Sequence, residues 1–165
     1  MKNYPIKINY INKLKVDFDT DGKLTSRLQV EAWESMKNNW PTIVVVDGSP
    51  AIKKLFEGSI RDLAVNLLVF ETAGDSWEYL KDARPNLLFL NIILPDKNGF
   101  TLLRELRKLP IHENTSVIMV TSKDYAQDRY LADDLGVKEY IPKPMPMQTI
   151  TDIVVKYTEA KSKSE

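Results

Sequence analysis

"TIVVVD" (residues 42–47) opens the part of the chain whose reading decides the fold. Four more short runs follow it at intervals: "NLLVFE" (66–71), "NLLFLN" (86–91), "SVIMVT" (116–121) and "KEYIP" (138–142). The first four are almost wholly apolar. A strand with one wet face alternates apolar and polar residues, whereas a strand covered on both faces of a parallel sheet does not.

The segments between the runs carry helical spacing instead. Pro50 opens the first, with Ile52, Leu55, Phe56, Ile60 and Leu63 on one face. Trp77, Leu80 and Lys81 mark the second, which ends before Arg84-Pro85. Leu102, Leu103, Leu106 and Leu109 mark the third, stopped by Pro110. Tyr130, Leu131 and Leu135 mark the fourth, closed by Gly136, and Ile150, Ile153, Val154 and Tyr157 mark the fifth. Five strand–helix units in series predict an open α/β domain with right-handed crossovers. Its working site then lies beyond the carboxyl ends of the strands. The residues at those ends are Asp47-Gly48, Asn91, Thr121-Ser122 and Lys143-Pro144.

Composition narrows the chemistry. With 165 residues, 43% hydrophobic and 28% charged, the chain has material for one well-packed domain. Lys plus Arg equals Asp plus Glu at 23 each, so no net field favours nucleic acid or a membrane surface as partner. The absence of cysteine excludes disulfides, thiolate metal sites and cysteine nucleophiles, and a single histidine, His112, excludes a histidine-rich metal site. The first twenty residues hold no apolar run fit for a signal peptide or membrane span, which makes the cytoplasm the expected compartment. No glycine-rich phosphate loop, nucleophile elbow or Ser/His/Asp set stands out, so no enzymatic activity is expected.

Residues 1–41 read as a separate extension. Ile6, Ile8, Tyr10 and then Leu14, Val16, Phe18 alternate like a hairpin, and Leu28, Ala32, Trp33 and Met36 suggest a helix from Thr25 to Asn38. Trp33, Met36 and Trp40 form a stripe expected to pack rather than to bind. "DFDTDG" (17–22) copies half of a calcium loop, but Leu28 stands at its twelfth position, where a bidentate Glu is needed. A polar turn is the expected reading. The expected layout is an extension at 1–41, a domain at 42–158 and a charged tail at 159–165.

The strings "VVVDGSP", "LLFLNIILPDKNGF", "VIMVTS" and "YIPKPM", taken together, resemble the receiver domain of two-component response regulators over about residues 42–157. The resemblance implies a flavodoxin-like, doubly wound five-stranded parallel sheet in the order 2-1-3-4-5. It also implies roles. An acidic pair after the first strand holds Mg²⁺, and an aspartate ending the third strand accepts a phosphoryl group from a histidine kinase. A hydroxyl after the fourth and a lysine after the fifth bond that group, and an aromatic three residues before the lysine reports the active state. Thr121 matches the hydroxyl, Lys143 the lysine, Tyr140 the switch aromatic and Asp47 the first acid.

Two positions depart. Gly48 replaces the second acid and Asn91 the phosphoacceptor. An amide oxygen lacks the full charge a nucleophile needs, and Mg²⁺ seeks charged oxygens. The expectation is a pseudo-receiver without cofactor or metal, its remnant site formed by Asp47, Gly48, Asn91, Thr121 and Lys143, with Lys143 free to pair with Asp47. It would act by phosphorylation-independent binding to a protein partner, a histidine kinase or downstream effector, with homodimerisation through residues 124–157 also open. One alternative is a receiver still regulated by a kinase or by a small anion at Thr121 and Lys143. Another is a small flavodoxin-like α/β enzyme.

Plainer readings apply to single residues. Lys143 in isolation is a surface lysine, Thr121 and Ser122 are good N-cap types for the fourth helix, and Tyr140 is a partly buried strand residue. Gly99 supplies a turn conformation after "PDKN", and His112 is solvated in a polar loop.

Overall fold

Five parallel strands form one sheet in the order β2-β1-β3-β4-β5. They are β1 (Thr42–Val46), β2 (Asn66–Phe70), β3 (Leu87–Asn91), β4 (Ser116–Thr121) and β5 (Glu139–Pro142). The helices between and after them are α1 (Pro50–Ser59), α2 (Ala73–Leu80), α3 (Gly99–Arg107), α4 (Ala126–Asp134) and α5 (Met147–Thr158). The structure, a computed structural model, describes residues 39–164. The expected hairpin, the helix from Thr25, the 17–22 loop and the packing of Trp33 and Met36 lie outside the described residues.

The apolar runs become strands because neighbours cover both of their faces. Residues 43–46 of β1, 87–90 of β3 and 117–120 of β4 are all buried, while the edge strand β2 is half-buried throughout. Odd and even positions of each strand point to opposite faces. Ile43, Val45, Leu87, Phe89, Ile118 and Val120 share one core with Ile52 and Phe56 of α1 and Ile150, Ile153 and Val154 of α5. Phe56 meets Phe89 edge-on, with ring centroids 4.8 Å apart. The opposite set, including Val44, Val46, Leu88, Leu90 and Met119, is buried as well, as are Leu80 of α2 and Leu102, Leu103 and Leu106 of α3.

Local chemistry sets the boundaries. Pro50 stands in the first turn of α1, where a missing N–H costs nothing. Thr72 caps α2 by accepting from the Asp75 N–H, and Asn98 caps α3 by accepting from the Phe100 N–H. Gly136 has φ +67°, which suits glycine and turns the chain out of α4.

Several expectations need correction. Thr121 and Ser122 do not cap α4, because its N-cap is Tyr125, which makes no side-chain cap bond. Nor do Tyr130, Leu131 and Leu135 form a buried stripe: Tyr130 is 77% exposed, and Ala132 is the buried residue of that helix. His112 is not solvated. Pro110 starts a short 3₁₀ turn, Pro110–His112, and His112 is fully buried, its Nδ1 3.0 Å from Thr115 Oγ1 and its Nε2 2.6 Å from the Leu80 carbonyl. The charged tail lies against the body. Ala160 is buried, Ser162 bridges Leu63, and the Ala64 and Lys163 N–H groups donate to the Lys161 and Asp62 carbonyls.

Candidate functional site

The carboxyl ends of β1, β3, β4 and β5 open on the same edge of the sheet, since all the strands are parallel. Asp47 follows β1 and is 3% exposed. Its Oδ1 accepts from the Ser49 N–H at 2.8 Å, and its Oδ2 accepts from Lys143 Nζ at 2.5 Å. Lys143 follows β5, and its own N–H donates to the Thr121 carbonyl at 2.7 Å, which fixes the start of its loop against the end of β4. The structure therefore brings the acid and the lysine together directly across the sheet.

Asn91 ends β3, and its Oδ1 accepts from the Ile93 N–H at 3.3 Å in a tight local turn. The Gly99 N–H donates to the Ile92 carbonyl at 2.7 Å, and a Cβ on Gly99 would lie 2.2 Å from the Asn91 carbonyl oxygen. Gly99 is thus required by close backbone approach; its φ is not in the left-handed range, so the expected turn conformation is not the reason. Gly48 faces a similar constraint: a Cβ there would meet Pro95 Cγ at 2.8 Å and Cδ at 3.0 Å.

Thr121 is buried, and its hydroxyl is tied locally. It donates to the Lys123 carbonyl at 2.9 Å and accepts from the Lys123 N–H at 3.0 Å. Tyr140 is half-buried in β5, and its hydroxyl donates to the same Lys123 carbonyl at 3.2 Å. The Arg129 guanidinium carbon lies 4.7 Å from the Tyr140 ring centroid, within cation–π range. Burial, then the nearby Asp128 and Asp124 carboxylates, pushes the Tyr140 phenol above its ordinary value.

Other groups near this edge escape the sequence reading. Asp124 accepts both Arg129 forks, at 2.7 and 2.6 Å, but a separation of five residues across a helix start carries no periodic signal. Asp96 accepts from the Ala73 and Gly74 N–H groups, both at 2.9 Å, and so joins the β3–α3 loop to the start of α2. Those two hydrogen bonds hold its carboxyl below the ordinary carboxylate value.

Of the three positions where the resemblance implies an acid, only Asp47 carries a carboxylate. Mg²⁺ demands several hard oxygens in octahedral array. Among the described residues no three His, Cys, Asp or Glu side chains come together to share an ion, and both Asp47 oxygens already accept hydrogen bonds. Among the described residues no helix is long and apolar enough to cross a membrane.

Comparison with known proteins agrees with this fold. The family described as Response regulator receiver domain matches residues 43–155, and the chain belongs to that family. It is a receiver domain of two-component signalling. The transcriptional regulatory protein BaeR of Escherichia coli O6:H1 is 29% identical over 106 residues, 64% of this chain and 43% of BaeR. The chain thus spans less than half of BaeR's length. Protein PilH of Pseudomonas aeruginosa is 28% identical over 108 residues, covering 66% of this chain and 89% of PilH. The CheY-like receiver domain protein of Methanospirillum hungatei superposes with TM-score 0.64 at 24% identity, over 73% of this chain and 95% of that one, and supports the fold.

Proposed function

We propose that this receiver signals by binding a protein partner and does not pass through a phosphorylated state. The observation that carries this reading is Asn91, an uncharged amide at the end of β3, where the resemblance implies the phosphoacceptor carboxylate. The amide cannot form an acyl phosphate. Gly48 removes a second acid, and Lys143 is already neutralised by Asp47 rather than waiting for an incoming anion. In this reading Asp47, Gly48, Asn91, Thr121 and Lys143 are the remnant of a phosphorylation site, and Tyr140 is its switch aromatic.

The partner face is the surface around residues 124–157. Tyr125, the N-cap of α4, Tyr130 within it and Val155 of α5 leave 49%, 77% and 41% of their surfaces exposed there. Large exposed apolar side chains on these elements suit a protein partner, either a signalling component or a second copy of the chain.

Incubation with acetyl phosphate and Mg²⁺, read by intact mass, tests the reading. The native chain is expected to gain no phosphoryl group, and the Gly48→Asp, Asn91→Asp variant is expected to gain one in part. A Mg²⁺-dependent phosphoryl adduct on the native chain would falsify it.

A further inference from the structure

We infer that Arg129 and Asp124 are the positioning residues of the Tyr140 ring, holding it from α4 rather than from the pocket at the strand ends. The inference rests on the reading above, in which no phosphoryl group forms to draw Thr121 and Tyr140 inward.

Besides a side-chain interaction of its hydroxyl with Thr121, two contacts hold Tyr140. At its tip, the hydroxyl reaches the Lys123 carbonyl at 3.2 Å, the acceptor it shares with the Thr121 hydroxyl. Thr121 is itself satisfied by Lys123 on both sides, as donor and as acceptor, so its position does not depend on the ring. Over the face, the Arg129 guanidinium sits 4.7 Å from the centroid. The same guanidinium is fixed by Asp124, with Nε at 2.7 Å from Oδ1 and Nη2 at 2.6 Å from Oδ2.

A planar fork can stack on a ring and grip a carboxylate with its edge at once, which a lysine ammonium cannot do. Asp124 lies just before α4 and Arg129 inside its first turns, so the pair also pins the β4–α4 loop to the helix. Tyr140 then occupies one position as long as the α4 pair is made. Pocket chemistry is not needed to keep it there. Both members of the pair are nearly half exposed, at 48% and 42%, which leaves the latch open to screening by salt.

The test uses the full chain labelled with 3-fluorotyrosine and read by ¹⁹F NMR, with the Tyr140 resonance assigned from Tyr140→Phe. The H₂O-to-D₂O shift of that resonance reports solvent access to the ring. In Arg129→Gln the solvent shift should rise to about twice the native value or more, as expected when a cation is lifted from an aromatic face. Arg129→Lys should restore part of the native value, and Asp124→Asn should move it in the same direction as Arg129→Gln. Raising the salt from about 0.05 M to about 1 M should do likewise. Thr121→Val, which disturbs only the tip contact at Lys123, should move it less than Arg129→Gln does.

An unchanged resonance in Arg129→Gln, or a change in Thr121→Val as large as that in Arg129→Gln, overturns the inference. Intact mass after acetyl phosphate treatment of the same labelled sample shows separately whether the phosphorylation-independent reading has failed.

Discussion

Lys143 Nζ lies 2.5 Å from Asp47 Oδ2, a link between residues 96 positions apart that joins the ends of β1 and β5 across the sheet. Asp47 is 3% exposed and Lys143 23%, so the acid is the member that suffers when the pair is broken. Lys143→Met should lower unfolding free energy by about 3 kcal/mol, the low end for breaking a buried ion pair, because the lysine keeps some water. Adding Asp47→Asn removes the stranded charge and keeps an acceptor for the Ser49 N–H. The double variant should return to within about 1 kcal/mol of native in urea denaturation. A loss in Lys143→Met too small to measure would remove the pair from any structural role.

Gly48 and Pro95 make the next testable pair. Gly48 has no left-handed φ, so Gly48→Ala in open space should stabilise by about 0.4–1 kcal/mol through the unfolded chain. Here the new Cβ would fall 2.8 Å from Pro95 Cγ, and a proline ring cannot swing aside. Gly48→Ala should therefore destabilise, by about 1–2 kcal/mol, as overpacking does. In a Pro95→Ala background the loss should shrink or change sign. The same contact limits how fully Gly48→Asp can rebuild an acidic pair, which is why only partial phosphorylation is expected of the double-acid variant.

Much of this was legible in the chain itself. Runs such as "TIVVVD" and "NLLFLN" announce strands covered on both faces, and parallel order then gathers Asp47, Asn91, Thr121 and Lys143 at one edge. Periodicity failed on α4, because Tyr130 and Leu131 lie at helical spacing yet the helix buries chiefly Ala132. Hydrophobic pattern says which residues seek cover and not how deep a helix sits. Links between distant polar groups were invisible for another reason. Asp96 meets Ala73 and Gly74, and His112 meets Leu80, across separations that only the folded chain sets.

Asp96 gives an acid-range prediction. Its carboxylate accepts two N–H bonds at the start of α2, which lowers its folded pKa below the ordinary value near 3.8. A lowered carboxylate contributes stability above the unfolded pKa and loses it as pH falls through the folded one. Asp96→Ala should cost about 1 kcal/mol at neutral pH, the size of a lost helix cap on an exposed site. The cost should fade as pH falls below 3.8 and on through the lower folded pKa, beneath which both states carry the proton. Hydrogen exchange at the Ala73 and Gly74 amides should quicken in the variant, and amides that exchange as slowly as in the native protein would argue that the bonds are not held in solution.

His112 allows the cleanest pH experiment, since it is the only histidine in the chain. Burial is the largest influence on it and holds its pKa below the ordinary 6.5, with Arg107 and Arg84 adding to the effect against the opposing bond to Leu80. Thr115 Oγ1 and the Leu80 carbonyl occupy its two nitrogens, and Arg107 Nη1 donates to the His112 and Thr115 carbonyls at 2.6 and 3.1 Å. A second positive charge is therefore unwelcome beside Arg107. Below pH 6.5 the unfolded chain takes up a proton that the folded one refuses, so stability falls as pH drops from 6.5 towards the folded pKa and is complete above 6.5. Unfolding free energies at about pH 7.5 and pH 5.5 should show this slope in the native chain and lose most of it in His112→Gln. His112→Ala, which also opens a cavity and strands the Leu80 carbonyl, should cost about 3 kcal/mol at pH 7.5. If His112→Gln keeps the native slope, the ring is not the group that titrates, and its burial has no part in acid stability.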